Sequence, residues 1–103
     1  MIEDVVDILQ ICHSAEDERA AMAGVSECLL RRLQAASIGF FLPERAGCTL
    51  LAGSGTALEP VAAARAVLGG MTIAPHRLGE RVECAVPVRY AGSVVGAVAA
   101  RWP

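Results

Sequence analysis

Residues 82–102 read V-E-C-A-V-P-V-R-Y-A-G-S-V-V-G-A-V-A-A-R-W, and no other stretch constrains the fold as tightly. Val82, Cys84, Val86 and Val88 alternate with Glu83, Ala85, Pro87 and Arg89, the period-2 pattern of a strand with one buried face. Tyr90-Ala91-Gly92-Ser93 has the composition of a tight turn. Val94 to Trp102 is apolar almost throughout, as a central strand covered on both faces would be. Two such strands joined by a short turn form an antiparallel hairpin. Pro87 then needs an edge, a bulge or a position whose missing N–H faces no partner. Gly96 marks a bulge or a close backbone approach.

With 103 residues, 54% of them hydrophobic, the chain can bury a single core without disulfides or metals, and residues 1–103 read as one domain. No uncharged apolar run reaches the roughly 18 residues of a membrane span. The start, Met-Ile-Glu-Asp, lacks the basic region of a signal peptide, so a cytoplasmic protein is expected. Cys12, Cys28, Cys48 and Cys84 lie far apart with only His13 and His76 to join them, which argues against structural zinc and for four buried, reduced thiols. Residues 1–27 carry Glu3, Asp4, Asp7, Glu16, Asp17, Glu18 and Glu27 against Arg19, a balance of −6. Residues 28–103 have a balance of +4. Their arginines are scattered rather than striped, so direct nucleic-acid binding is not expected. An anionic ligand facing the C-terminal half is compatible with this asymmetry.

Ahead of the hairpin, Ile2, Val5, Val6, Leu9 and Cys12 form one face of a short helix. Ser14 is the expected N-cap of a second helix that runs to about Ala35, with Met22, Val25, Leu29, Leu33 and Ala36 as its apolar stripe. Ser37 to Leu42 predicts a strand, Pro43 to Gly47 a turn, and Cys48 to Ala52 the returning strand, ending in Gly53-Ser54-Gly55. Pro60 suits the start of a helix over Val61 to Leu68 that stops at Gly69-Gly70. Met71 to Ala74 is a short extended piece and residues 75–80 a loop. The order argues for an α+β fold, an antiparallel sheet with helices packed on it.

Ala85-Val86-Pro87-Val88, followed by Gly92, Val94, Val95, Gly96, Ala97 and Val98, resembles the closing hairpin of the GAF domain family. Ala36 to Leu42 resembles that family's first strand, and the resemblance runs from about residue 3 to residue 102. It implies a GAF/PAS-like α+β fold, with a central antiparallel sheet of five or six strands and the N-terminal helices on one face. It implies a sensory or regulatory domain of a bacterial signalling or transcription-regulatory protein, not an enzyme. Such a domain binds a small ligand, or dimerises, to control an output domain such as a transcription activator, histidine kinase or cyclic-dinucleotide enzyme. A homodimer through the helices over residues 2–35 follows from the same resemblance. Residues 56–80 are short for the family, which opens the alternative of a pocketless dimerisation module.

In such a fold the ligand face lies under residues 53–80, and the candidate contacts are Ser54, Thr56, Met71, His76 and Arg77. Gly53-Ser54-Gly55-Thr56 could offer backbone N–H groups to an anion, but it lacks the spacing of a phosphate loop and reads first as a plain turn. His76 could ligate haem iron or simply be exposed. Arg81, Arg89 and Arg101 are expected to face solvent, and Trp102 to cap the core. Some proteins of this family reduce free methionine sulfoxide with paired cysteines, the remaining alternative. Neither Cys48 nor Cys84, whose neighbour Glu83 should raise its pKa, matches the placement that chemistry requires. The absence of cysteine from residues 53–80 argues against covalent bilin.

Overall fold

Ala91 and Gly92, at φ 52° and 84°, close the hairpin. Two consecutive left-handed residues form a turn whose twist matches that of the strands it joins. In the computed structural model, which describes residues 2–45, 47–56 and 61–103, this turn connects β4 (Arg81–Tyr90) to β5 (Ser93–Trp102). The elements before it are α1 (Ile2–Ser14), α2 (Glu18–Leu33), β1 (Ser37–Glu44), β2 (Gly47–Gly55), α3 (Val61–Gly69) and β3 (Ile73–Leu78). The five strands form one antiparallel sheet in the order β2-β1-β5-β4-β3. The expected α+β architecture is present, with five strands.

The helix ends differ from the expected ones. α1 runs through Ser14, and Asp17 is the N-cap of α2, accepting a hydrogen bond from Ala20 N at 2.8 Å. An aspartate cap adds a formal charge at the positive end of the helix dipole, which a serine does not. Gln34, in left-handed conformation at φ 52°, closes α2. Gly53 to Gly55 belong to β2 and pair with Ser37 to Gly39, so they form neither a turn nor an anion loop. Residues 75–78 belong to β3 rather than to a loop. Pro60 lies outside the described residues.

α2 packs on β2 and β1, and α1 packs on α2. α3 lies across the opposite face and touches all five strands. The side of α1 that meets α2 carries Ile8 and Ile11, both half-buried; a Cβ on Gly24 of α2 would stand 2.5 Å from Ile11 Cγ2. Val6, Leu9 and Cys12, expected to face the core, are exposed. The side chains of Ile2 and Val5 lie outside the description. No helix among the described residues is long and apolar enough to cross a membrane.

β4 and β5 also show which side of the hairpin is inward. The core against α3 consists of Phe41, Ala62, Ala63, Ala66, Ala85, Ala97 and Ala99. Ala85 is fully buried, whereas Val86 and Val88 are 49% and 38% exposed. The small set of the alternation, not the valine set, therefore meets the helix. The β3–β4 ladder reaches only to Ala85, so Pro87 sits where β4 has β5 on one side alone, which tolerates a residue without an N–H.

Gly96 marks a close approach of β5 to β1, since a Cβ there would lie 2.7 Å from the Phe41 carbonyl oxygen. Beside it the β4–β5 register shifts between Val88 and Arg89. Gly96→Val should force β5 away from β1 and lower unfolding free energy by about 1–3 kcal/mol, the range for overpacking. Urea denaturation of the two proteins measures it.

Candidate functional site

Strand registry lines up three transverse rows on the face beneath α3. Gly53, Gly39, Ala99, Ala85 and Ile73 are successive cross-strand partners through β2, β1, β5, β4 and β3. Leu50, Phe41, Ala97 and Pro87 form the row on one side of it. On the other side the partners are Gly55, Ser37, Arg101, Glu83 and His76. The middle row has no large side chain until Ile73, so the alanines of α3 can approach it closely. The third row is polar and is the candidate site.

Its centre is an ion pair. Arg101 Nε donates to Glu83 Oε1 at 2.7 Å, and the two residues are only 6% and 4% exposed. Removing both charges from water costs several kcal/mol per ion before their attraction offsets it, so a buried pair is seldom the most stable filling for its space. Beside it, the Ser37 and Thr56 hydroxyls are hydrogen-bonded at 2.6 Å, with Ser37 fully buried. Thr56 N donates to the Ala36 carbonyl, which fixes the threonine at this end of the sheet. On the far side, His76 Nδ1 lies 3.0 Å from the Ala74 carbonyl oxygen. A proton on Nδ1 makes that bond and leaves Nε2 an acceptor. Nε2 is buried and has no hydrogen-bond partner among the described residues.

Of the five residues singled out in the sequence, Thr56 and His76 stand at this polar row. Ser54 pairs with Ile38 and so belongs to the α2 face. Arg77 pairs with Val82, also on that face, and is exposed. Met71 is 60% exposed beyond the end of α3. Sequence reasoning missed Ser37, Glu83 and Arg101. Arg101 is buried rather than solvent-facing, and shares the inward parity of Ala97 and Ala99. The available signal was a pair of opposite charges, Glu83 and Arg101, each two residues beyond an alanine on the inward parity. Arg81 and Arg89 are exposed as expected, with Arg89 donating to the Gly70 carbonyl. Trp102 Nε1 donates to Leu33 O at 3.0 Å, which covers the end of α2.

Of the four thiols expected to be buried only Cys28 is; Cys48 and Cys84 are half-buried and Cys12 is exposed. Cys48 packs against the α3 core, whereas Cys84 pairs with Ala100 on the opposite face, so the two do not share a site. Burial raises the pKa of both thiols; Glu44 adds to the rise at Cys48, and a backbone hydrogen bond from Ala100 offsets part of it at Cys84. Glu83, on the other face of β4, is not the cause at Cys84. No group of three or more His, Cys, Asp or Glu among the described residues could hold a metal ion. Two cavities lie away from the polar row. A groove of about 420 Å³ between α1 and α2 is lined by Asp7, Gln10, Ser14, Cys28 and Arg31. One of about 110 Å³ on the α2 face is lined by Met22, Phe40, Leu42, Leu51, Val88 and Val95.

This arrangement of helices and sheet is the GAF fold. The GAF domain of an Acinetobacter phosphoenolpyruvate-protein phosphotransferase superposes with a TM-score of 0.82 at 12% identity, over 98% of this chain and 75% of that one. The GAF domain of A. aeolicus nlh2 in an inactive state gives 0.77 at 16%, over 97% and 77%. The free methionine-R-sulfoxide reductase of Neisseria meningitidis, in complex with its substrate, gives 0.82 at 18%, over 98% and 72%. No family model matches the sequence, and no curated protein matches it. The expectation that the chain is not an enzyme is corrected here: free methionine-R-sulfoxide reductases stand beside GAF domains among its structural neighbours, so the fold does not exclude an enzyme.

Two outcomes follow from this geometry. Glu83→Gln leaves the Arg101 charge buried and should cost about 3–5 kcal/mol, while the double change Glu83→Leu with Arg101→Met should recover most of it. Denaturant titration of both variants measures the difference. Because burial holds the protons on Cys48 and Cys84, their contribution to stability is complete below the ordinary thiol range and is lost as pH rises through their raised values. Ellman's reagent should accordingly label exposed Cys12 first and Cys48 and Cys84 more slowly at neutral pH. Cys28, 2% exposed, should react only on unfolding.

Proposed function

We propose that this chain is a small-ligand-responsive regulatory GAF domain, and that its ligand carries both an ammonium and a carboxylate group. The observation that carries this reading is the buried Glu83–Arg101 pair. A zwitterion can divide that pair, giving its ammonium to Glu83 and its carboxylate to Arg101, and so keep both buried charges compensated. Ser37, Thr56 and the acceptor His76 Nε2 lie in the same row to take further polar groups. α3, nine residues long and seated on the sheet mainly through alanines, is the element such a ligand displaces. A ligand that binds only the displaced arrangement shifts the population toward it, and an attached output domain reads the shift. That the Neisseria reductase superposes on this chain and binds a small-molecule substrate supports a small-molecule site on this fold.

A second reading shares that site. Cys48 is the thiol on the α3 face, and sulfoxide reduction would use its thiolate to attack the sulfoxide sulfur. The products are the thioether and a sulfenic acid, and external dithiol reduces the sulfenic acid back to thiol with release of water. The raised pKa of Cys48 makes this slower at neutral pH.

The test is thermal denaturation with millimolar free amino acids, including L-methionine-R-sulfoxide, alongside dithiol consumption in the same samples. A rise in Tm with one of them, absent in the Glu83→Leu, Arg101→Met protein, supports the ligand site. Dithiol consumption that depends on sulfoxide and disappears in Cys48→Ser assigns the second reading. Unchanged Tm across the whole set overturns the zwitterion.

A further inference from the structure

We propose that the cavity on the α2 face of the sheet is a separate binding site, for a small primary amine with a compact apolar tail. It lies on the side of the sheet away from α3, so it is independent of the ligand reading above.

The cavity measures about 110 Å³. An apolar cavity of about 150 Å³ admits benzene, so a tail of about five carbons fills one somewhat smaller. Met22 of α2, Phe40 and Leu42 of β1 and Val88 of β4 line it. Gly96 of β5 lines it as well and adds no side chain to fill the space. A Cβ there would meet the Phe41 carbonyl oxygen at 2.7 Å, so the approach of β5 to β1 keeps that part of the wall bare.

Two breaks in strand register fall at this cavity. Leu51 has no partner between the pairs Phe40–Ala52 and Phe41–Leu50. Val95 has none between Val88–Gly96 and Arg89–Val94. Each is the extra residue of a bulge, and both line the cavity. A bulge re-aims the side chain it carries, and bulges are enriched beside functional sites. Arg19 Nη1 donates to Leu51 O at 2.6 Å, which ties the first bulge to α2.

Charge selects the head group. Glu18, the first residue of α2, lines the same cavity and is exposed. Among the described residues it has no ion-pair partner. Arg19 beside it is engaged by Leu51 O, and Asp17 by the N–H of Ala20. A carboxylate on the rim of an apolar cavity takes a cation whose apolar end is buried beside it. The helix dipole opposes this with about half a unit of positive charge, less than the full charge of the carboxylate. A carboxylic acid with the same tail would meet Glu18 as a like charge.

The test is nuclear magnetic resonance titration of the isotope-labelled chain with isopentylamine, isovalerate and isopentanol at neutral pH. The amine should bind with a Kd of about a millimolar, the level a ligand this small reaches. It should shift the amides of Met22, Leu42, Leu51, Val88 and Val95. Glu18→Gln should weaken the amine about threefold to fivefold, the range of an exposed ion pair. Val95→Phe, whose ring takes the same space, should abolish binding. Both positions are exposed, and unchanged circular dichroism of the two variants shows that the fold is kept. Isovalerate or isopentanol binding as well as the amine overturns the proposal, as does a Glu18→Gln protein that binds like the parent. Amide shifts confined to the α3 face, or no saturable shift, overturn the site itself.

Discussion

The close seating of α3 on a row of glycine and alanine is the contact on which the rest of the molecule depends. Gly53, Gly39, Ala99 and Ala85 present almost no side chain, and Ala62, Ala63 and Ala66 of the helix are nearly free of solvent above the same face. Dispersion falls steeply with separation, so a core of small groups is stabilising only when it is tight. That tightness sets the inward parity of β4 and β5. Once Ala85, Ala97 and Ala99 are under the helix, the alternation of a strand sends Val86 and Val88 to the other side. Their exposure is the geometric consequence of the alanine core.

The same parity accounts for the polar row. Glu83 and Arg101 are two residues along from Ala85 and Ala99, so the register that buries the alanines buries the charges as well. Each becomes the other's compensation across one ladder pair, with the Ser37–Thr56 hydroxyls on one flank and His76 on the other. The same fold carries GAF domains and a free methionine-R-sulfoxide reductase among the solved structures this chain resembles.

Much of the fold was legible because local chemistry carried it. The Ala91-Gly92 turn, the close approach at Gly96 and the glycine stop after α3 follow from backbone preferences that neighbouring residues alone reveal. β3 was not legible: Pro75 and His76 read as loop residues, and only the pairing of His76, Arg77 and Leu78 with Glu83, Val82 and Arg81 makes the segment a strand. The outward face of α1 misled for a related reason. Val6 and Leu9 resemble a core stripe, but Ile8 and Ile11 are the ones that meet Gly24 of α2. Thr56 and His76 could be proposed from residue type, whereas Ser37, Glu83 and Arg101 required registry.

By itself, then, the sequence determined the element types in most of the chain, the closing hairpin, the antiparallel class and the family resemblance, because periodicity and turn chemistry act over a few residues. Tertiary structure alone decided which side of each strand is inward, since alternation has two equivalent faces and only the helix lying on one of them breaks the tie. It also decided that an arginine near the end of the last strand and a glutamate 18 residues earlier become one buried pair. Their meeting depends on the alignment of two strands, a relation between distant segments that no local pattern encodes.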